Sequence, residues 1–332
     1  MVTMSIGQSK WTVWQKSKIL TFFLQFNITF PNKYDGKLER IIGFGNPSLI
    51  RVLGGNKRVF IDGTFKIVPK PFYQCLIIMV FDEQTDSFVP VFYVLLTSKT
   101  EQIYRHALYW VKASSNYKMK PDSITCDFEK ALHNAIALKF PSVIINGCLF
   151  HWKQAIRRKI RDLKFEEPSI EERFMWRNVL ETLTIIPVDQ IKTYGIPFVR
   201  GCVETDLNKN DLEKMDIFWE YFNKYWMSSP SFIFRWNIQH HAQFRKEKIM
   251  RTNNGLEHYN RSLKELFNNT QPSLICFIEK MEQESRDQVS KLDRIRKAHV
   301  INRKRKREDS NIPCEFSEPS ILYVNFVEDC KV

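Results

Sequence analysis

Between residues 58 and 98 the apolar positions crowd into three runs, RVFIDGTFKIV (58–68), FYQCLIIMVFD (72–82) and FVPVFYVLLTS (88–98). β-branched and aromatic residues dominate each run, which predicts three strands. EQTDS, between the second and third, has the length of a hairpin loop, so those two strands should be antiparallel neighbours. PKP reads as the turn before them. The period then changes. EQIYRHALYWVKASS (101–115) sets Ile103, Ala107, Leu108 and Val111 at helical spacing. SITCDF (123–128) reads as a strand ending in acid, EKALHNAIALKF (129–140) as an amphipathic helix stopped by Pro141, SVIING as a short strand, and CLFHWKQAIRRKIRDL (148–163) as a basic helix. The order β-β-β-α-β-α-β-α predicts an α/β fold, a mixed five-stranded sheet flanked by helices.

The flanks carry less pattern. Residues 1–57 mix aromatic and basic residues with Gly-rich turns (GFGNP, LGGNK) and read as a mostly helical or irregular lead-in. From 166 to 250 the spacing is helical, rich in Trp and Phe, with breaks at IPFVRG and SSPSF: an all-helical insertion. NNGLEHYNRSLKELF (253–267) reads as a helix capped by its Asn pair, and a charged helix fills roughly 272–300. The expected organisation is thus a core in two pieces, 58–165 and 251–300, around the insertion, with a basic and polar tail over 301–332.

One residue in the first strand conflicts with its surroundings. Asp62 sits in the middle of an apolar run, and a buried carboxylate without a partner is costly. Asp127 ends a second strand that could lie beside the first, and Glu257 falls early in the helix after the insertion. Two like charges ~4 Å apart repel by ~4 kcal/mol at an effective dielectric of 20, so a convergence of all three calls for cations. Carboxylates from strand, strand and helix would cage two Mg²⁺ ions, leaving positions open to phosphate oxygens. The alternative is three ordinary acids among the 37 of the chain.

Composition narrows the partners. A net charge of +13 points to a polyanion such as nucleic acid, although a basic soluble protein would share it. A hydrophobic content of 43% with 26 Phe and 8 Trp supports a substantial core. Apolar runs such as CLIIMVF fall far short of the ~20 residues of a spanning helix, and KILTFFLQFNITF lacks a small-residue cleavage site after it, so no secretory leader is expected. Seven scattered cysteines fit a reducing compartment.

Four stretches, FIDGTFKIVPKPFYQ, SITCDFEKAL, FPSVIINGCLFHWKQA and RTNNGLEHYNRSLK, resemble in order the motif blocks of the Mutator-like (MULE) transposase domain. The resemblance implies the DDE transposase superfamily, an RNase H-like fold, and a metal-binding triad of Asp62, Asp127 and Glu257 using two Mg²⁺ or Mn²⁺ ions. It also implies DNA as partner (transposon ends and target), a homo-oligomer on that DNA, and a helical insertion between Asp127 and Glu257. It picks out Cys148 and His151 as a C-x-x-H signature, one helical turn apart. The pair could be half a zinc site, with Cys202, His240 and His241 as unsupported further ligands, or it could be packing. The first 57 residues hold no cysteine, and the C-terminal stretch has only Cys314 and Cys330. The finger modules of many family members are therefore not evident, which leaves open a domesticated, non-catalytic DNA-binding or chromatin-associated derivative.

Lys153, Arg157, Arg158, Arg161 and Lys164 recur at three- and four-residue steps. They could contact phosphates or form a solvated helix face. Arg303, Lys304, Arg305, Lys306 and Arg307 form a contiguous cluster suited to nuclear import or DNA contact, with the nucleus as expected location. Trp219, Trp226 and Trp236 could stack on a base but fit a core better.

Overall fold

The computed structural model describes residues 20–239, 254–268 and 271–302. These fall into two compact units. One holds the described residues up to Ile145 and again from 254 to 302, and the other runs from Asn146 to 239.

The first unit is built on a mixed sheet of seven strands in the order β1-β2-β5-β4-β3-β6-β7. Their ranges are β1 Leu24–Pro31, β2 Leu38–Phe44, β3 Arg58–Thr64, β4 Gln74–Asp82, β5 Ser87–Leu96, β6 Ser123–Cys126 and β7 Ile144–Gly147. The expected three strands are present, and β4 and β5 form the hairpin that EQTDS implied, antiparallel from Gln74↔Leu96 to Asp82↔Ser87. β3 pairs antiparallel with β4 and parallel with β6. β4 and β5 are buried along nearly all their length, the signature of central strands covered on both sides.

The sheet has seven strands rather than the five expected, because the lead-in supplies two more. β1 and β2 pair antiparallel, and β2 adds to β5 through Ile41↔Leu96 to Phe44↔Tyr93. Alternation in FNITF was masked by its polar and basic neighbours. A glycine hides β2 further: Phe26 lies across from Gly43, and a Cβ on Gly43 would fall 2.1 Å from the Phe26 ring. An aromatic ring here fills the space that the missing side chain leaves.

α-Helices longer than four residues occur in both units. In chain order they are α1 Pro47–Leu53, α2 Glu101–Ser114, α3 Lys130–Lys139, α4 Leu149–Leu163, α5 Ile170–Met175, α6 Ile196–Val203, α7 Lys209–Tyr225, α8 Pro230–Trp236, α9 Asn254–Leu266 and α10 Leu274–Asn302. α2 starts at an N-cap, the Thr100 hydroxyl accepting from Ile103 N–H. Its apolar stripe, Ile103, Tyr104, Ala107, Leu108 and Val111, joins Leu132, Ala135 and Ile136 of α3 in one cluster. That cluster includes Val59 and Ile61 of β3 and Ile124 and Cys126 of β6. Side chains alternate along a strand, so Phe60 and Asp62 occupy the other face.

The second unit is helical from Leu149 to Trp236; the insertion expected over 166–250 falls within it as far as 239, and the remainder lies outside the described residues. Leu149, Trp152, Ile156 and Ile160 form the buried side of α4. Trp152 stacks on Trp236 with ring centroids 5.7 Å apart and meets Trp226 edge-on at 6.1 Å. Trp219, Trp226 and Trp236 are all buried, so they form this unit's core. Burial pushes the Asp211 carboxyl up, but N–H groups of Glu166 and Glu167, each 2.9 Å away, with Lys214 beside it, hold it below the usual range.

The Phe26 ring over Gly43 gives a direct test of the added strands. Gly43→Ala should cost about 1–3 kcal/mol through overpacking, read as a lowered melting temperature. An unchanged midpoint would mean that β1 and β2 are not integral to the fold.

Candidate active site

The parallel register Arg58↔Ser123, Val59↔Ile124, Phe60↔Thr125, carried two residues further, sets Asp62 level with Asp127. Both follow the alternation onto the face away from α2 and α3. Adjacent strands lie ~4.8 Å apart, so the two acids leave the sheet side by side. Asp62 is only 6% exposed, and Asp127, just past the end of β6, is half-buried.

Asp127 is held from its own loop. Its carboxylate accepts the Glu129 N–H at 3.1 Å, and its carbonyl oxygen lies 2.5 Å from His133 Nε2. A carbonyl only accepts, so Nε2 carries the proton and donates.

α9 brings the later part of the chain to the same face. Leu256, Tyr259, Asn260, Leu263 and, just beyond its end, Phe267 are buried at helical spacing. At one end, a Cβ on Gly255 would fall 2.2 Å from the Phe88 ring, so only glycine permits that approach. Further along, the Tyr259 and Tyr93 hydroxyls are hydrogen-bonded, and Asn260 Nδ2 donates to Asp62 Oδ2 at 2.8 Å. Phe88 packs against Phe60, so α9 follows β3 from Phe60 toward Asp62. Glu257 lies in this helix one turn before Asn260, about 60° round the axis from it. Its backbone thus runs along β3 between those two levels, while its side chain lies outside the described residues.

Asp62 and Asp127 offer the hard oxygen donors that divalent cations take. Asn260 Oδ1, on the amide that bonds Asp62, is buried with no hydrogen-bond partner among the described residues. Also among the described residues, no group of three or more His, Cys, Asp or Glu side chains is placed to hold a metal ion.

The family model of the MULE transposase domain matches residues 58–155. This stretch is a MULE transposase domain. No curated protein matches the chain. The MULE domain begins at β3 and ends within α4, so it contains Asp62, Asp127, Cys148 and His151, and α9 lies beyond it. Among the described residues no helix is long and apolar enough to cross a membrane.

Two residues of this site had no place in the sequence reading. Asn260 follows Glu257 by three residues, a spacing that could have marked it as a neighbour on the helix. Glu129, two residues after Asp127, is the other. Its carboxylate accepts the Tyr104 hydroxyl at 3.0 Å, and that hydroxyl accepts from Gln74 Nε2 at 2.7 Å. Burial raises the Glu129 pKa, and the charge of Asp127 raises it further.

The remaining candidates fall in the second unit or outside the described residues. Cys148 is the N-cap of α4 and fully buried, with His151 one turn on; Cys202 is on α6, and His240 and His241 lie outside the described residues. Within α4, Lys153 pairs with Glu181, while Arg157 and Arg161 both reach Glu171, at 3.6 and 2.7 Å. Arg158 is exposed, and Lys164, in a left-handed conformation, ends the helix. Three of the five expected phosphate contacts are therefore engaged in ion pairs within their own unit. The cluster from Arg303 to Arg307 lies outside the described residues.

Glu129 supplies a pH test of the site. A carboxyl whose folded pKa is raised makes the fold less stable as pH climbs from the unfolded value, about 4.3, through the folded one. Glu129→Gln should therefore gain stability relative to the parent as pH rises to neutral, with little difference in acid. Thermal unfolding in a chelator across that range checks it; a pH-independent difference would contradict the assigned environment.

Proposed function

We propose that this protein is a MULE-type DDE transposase that hydrolyses DNA phosphodiesters with divalent metal and joins the freed 3′-hydroxyl to target DNA. The observation that carries the reading is Asp62 and Asp127 leaving neighbouring parallel strands level with one another, with α9 seated on Asp62. An RNase H-like core is supported by three antiparallel strands, β5-β4-β3, continued by β6 and β7. The reading places the protein in the nucleus, as a homo-oligomer on DNA.

The residues present fit a pair of Mg²⁺ or Mn²⁺ ions on two counts. Two carboxylates stand side by side, and the buried oxygen of the amide that bonds Asp62 lacks a partner among the described residues. Asp62 and Asp127 would hold both ions and Glu257 would complete the second position. When bound, such ions activate the attacking hydroxyl and stabilise the leaving oxygen of an in-line displacement. Asn260 is a positioning residue: its amide donates to one oxygen of Asp62 and fixes how that carboxylate is turned. Tyr93 and Tyr259 hold the helix that carries both Asn260 and Glu257.

Nicking and strand transfer on terminal-repeat DNA with Mg²⁺ or Mn²⁺ test the assignment. Asp62→Asn and Asp127→Asn should abolish both reactions, and Asn260→Ala should lower the rate about 10–100-fold, the usual cost of losing a residue that orients a metal ligand. An Asp62→Asn protein as active as the parent would defeat the proposal. If the parent neither cleaves nor binds Mn²⁺ in a manner that depends on Asp127, the non-catalytic DNA-binding reading replaces it.

A further inference from the structure

A second feature of the first unit lies on the opposite face of its sheet. α2, α3 and the turn between β1 and β2 enclose a groove of about 680 Å³. Two tyrosines line it, Tyr34 at 81% exposure and Tyr109 at 40%. Each carries a lysine on its ring, Lys33 Nζ 4.7 Å from the Tyr34 centroid and Lys139 Nζ 4.3 Å from that of Tyr109. Arg105 adds a third cation, and the lining also holds Glu101, whose carboxylate accepts from Asn134 at 3.0 Å. The start of the turn is tied to one α2 side chain: Lys33 N–H donates to Gln102 Oε1 at 3.0 Å, and Gln102 Nε2 donates to the Pro31 carbonyl at 3.2 Å.

We propose that this groove binds an unpaired strand of nucleic acid, its bases on Tyr34 and Tyr109 and its phosphates on Lys33, Arg105 and Lys139. Exposed aromatic rings interleaved with cations suit a strand whose base faces are free. In a duplex those faces are covered by neighbouring bases, leaving only phosphates to bind. The turn is held before any ligand arrives, which lowers the ordering cost of binding. Strand topology puts the turn at the end of the sheet where Asp62 and Asp127 emerge: Pro31 pairs with Leu38, Ile41 with Leu96, Leu96 with Gln74, and Thr64 with Cys75. A strand lying in the groove would leave it near that end. The inference goes beyond the cleavage reading and does not need it, since binding here requires no metal.

Fluorescence anisotropy on the full chain, in a chelator, with a dye-labelled mixed-sequence DNA strand and its duplex, tests the groove. The parent should bind the single strand more tightly. Tyr34→Ala with Tyr109→Ala should weaken single-strand binding about ten- to a hundredfold and leave the duplex unmoved. The corresponding Phe variants should bind as the parent does. The proposal is overturned if the double Ala variant keeps parental affinity, if strand and duplex weaken equally, or if Phe loses as much as Ala. Circular dichroism controls for folding; should the double variant not fold, Tyr34→Ala alone, on an exposed turn, decides by the same criteria.

Discussion

The amide of Asn260 bonded to the carboxylate of Asp62 is the contact on which the acidic face depends. It joins residues from the first core strand and from a helix on the far side of the insertion. A mid-strand aspartate would otherwise be a liability in an apolar sheet. The same bond fixes the register of α9, because Gly255 must clear Phe88 at one end while Asn260 meets Asp62 further along. Sliding the helix by one residue would break both contacts together.

Around that bond the sheet separates two environments. On one face the residues of β3 and β6 pack as an ordinary apolar core with α2 and α3. On the other, Asp62 and Asp127 are brought level; Glu129, the N-cap of α3, bonds back to Tyr104 of α2, and its pKa is raised by burial and by the charge of Asp127. Repulsion is tolerated there because hydrogen bonds spread it: Glu129 to Tyr104 and Gln74, Asp127 to the Glu129 N–H, Asp62 to Asn260.

Much of the core was legible in the chain because its strands are long apolar runs divided by recognisable turns. β4 and β5 could hardly be read otherwise. Asp62 was legible for the converse reason, standing out as a charge inside such a run. β1 and β2 were not, because they lie toward one side of the sheet, where FNITF and LERIIGF carry polar and charged residues, and because Gly43 leaves a gap that a distant ring fills. Asn260 and Glu129 were missed on different grounds. An asparagine on a polar helix and a glutamate opening another helix are ordinary in one dimension. Only the pairing of β3 with β6, and the seating of α9, give them distinct surroundings.

The interval between β7 and α9 has a consequence for how this chain could change over time. The entropy lost in closing a loop grows only with the logarithm of its length, about 0.6 kcal/mol for each doubling. The described residues from Asn146 to 239 form a compact unit with its own tryptophan-rich core. Residues added to the connections of that unit would therefore cost little thermodynamically, while the few positions where α9 grips the sheet would tolerate almost no drift.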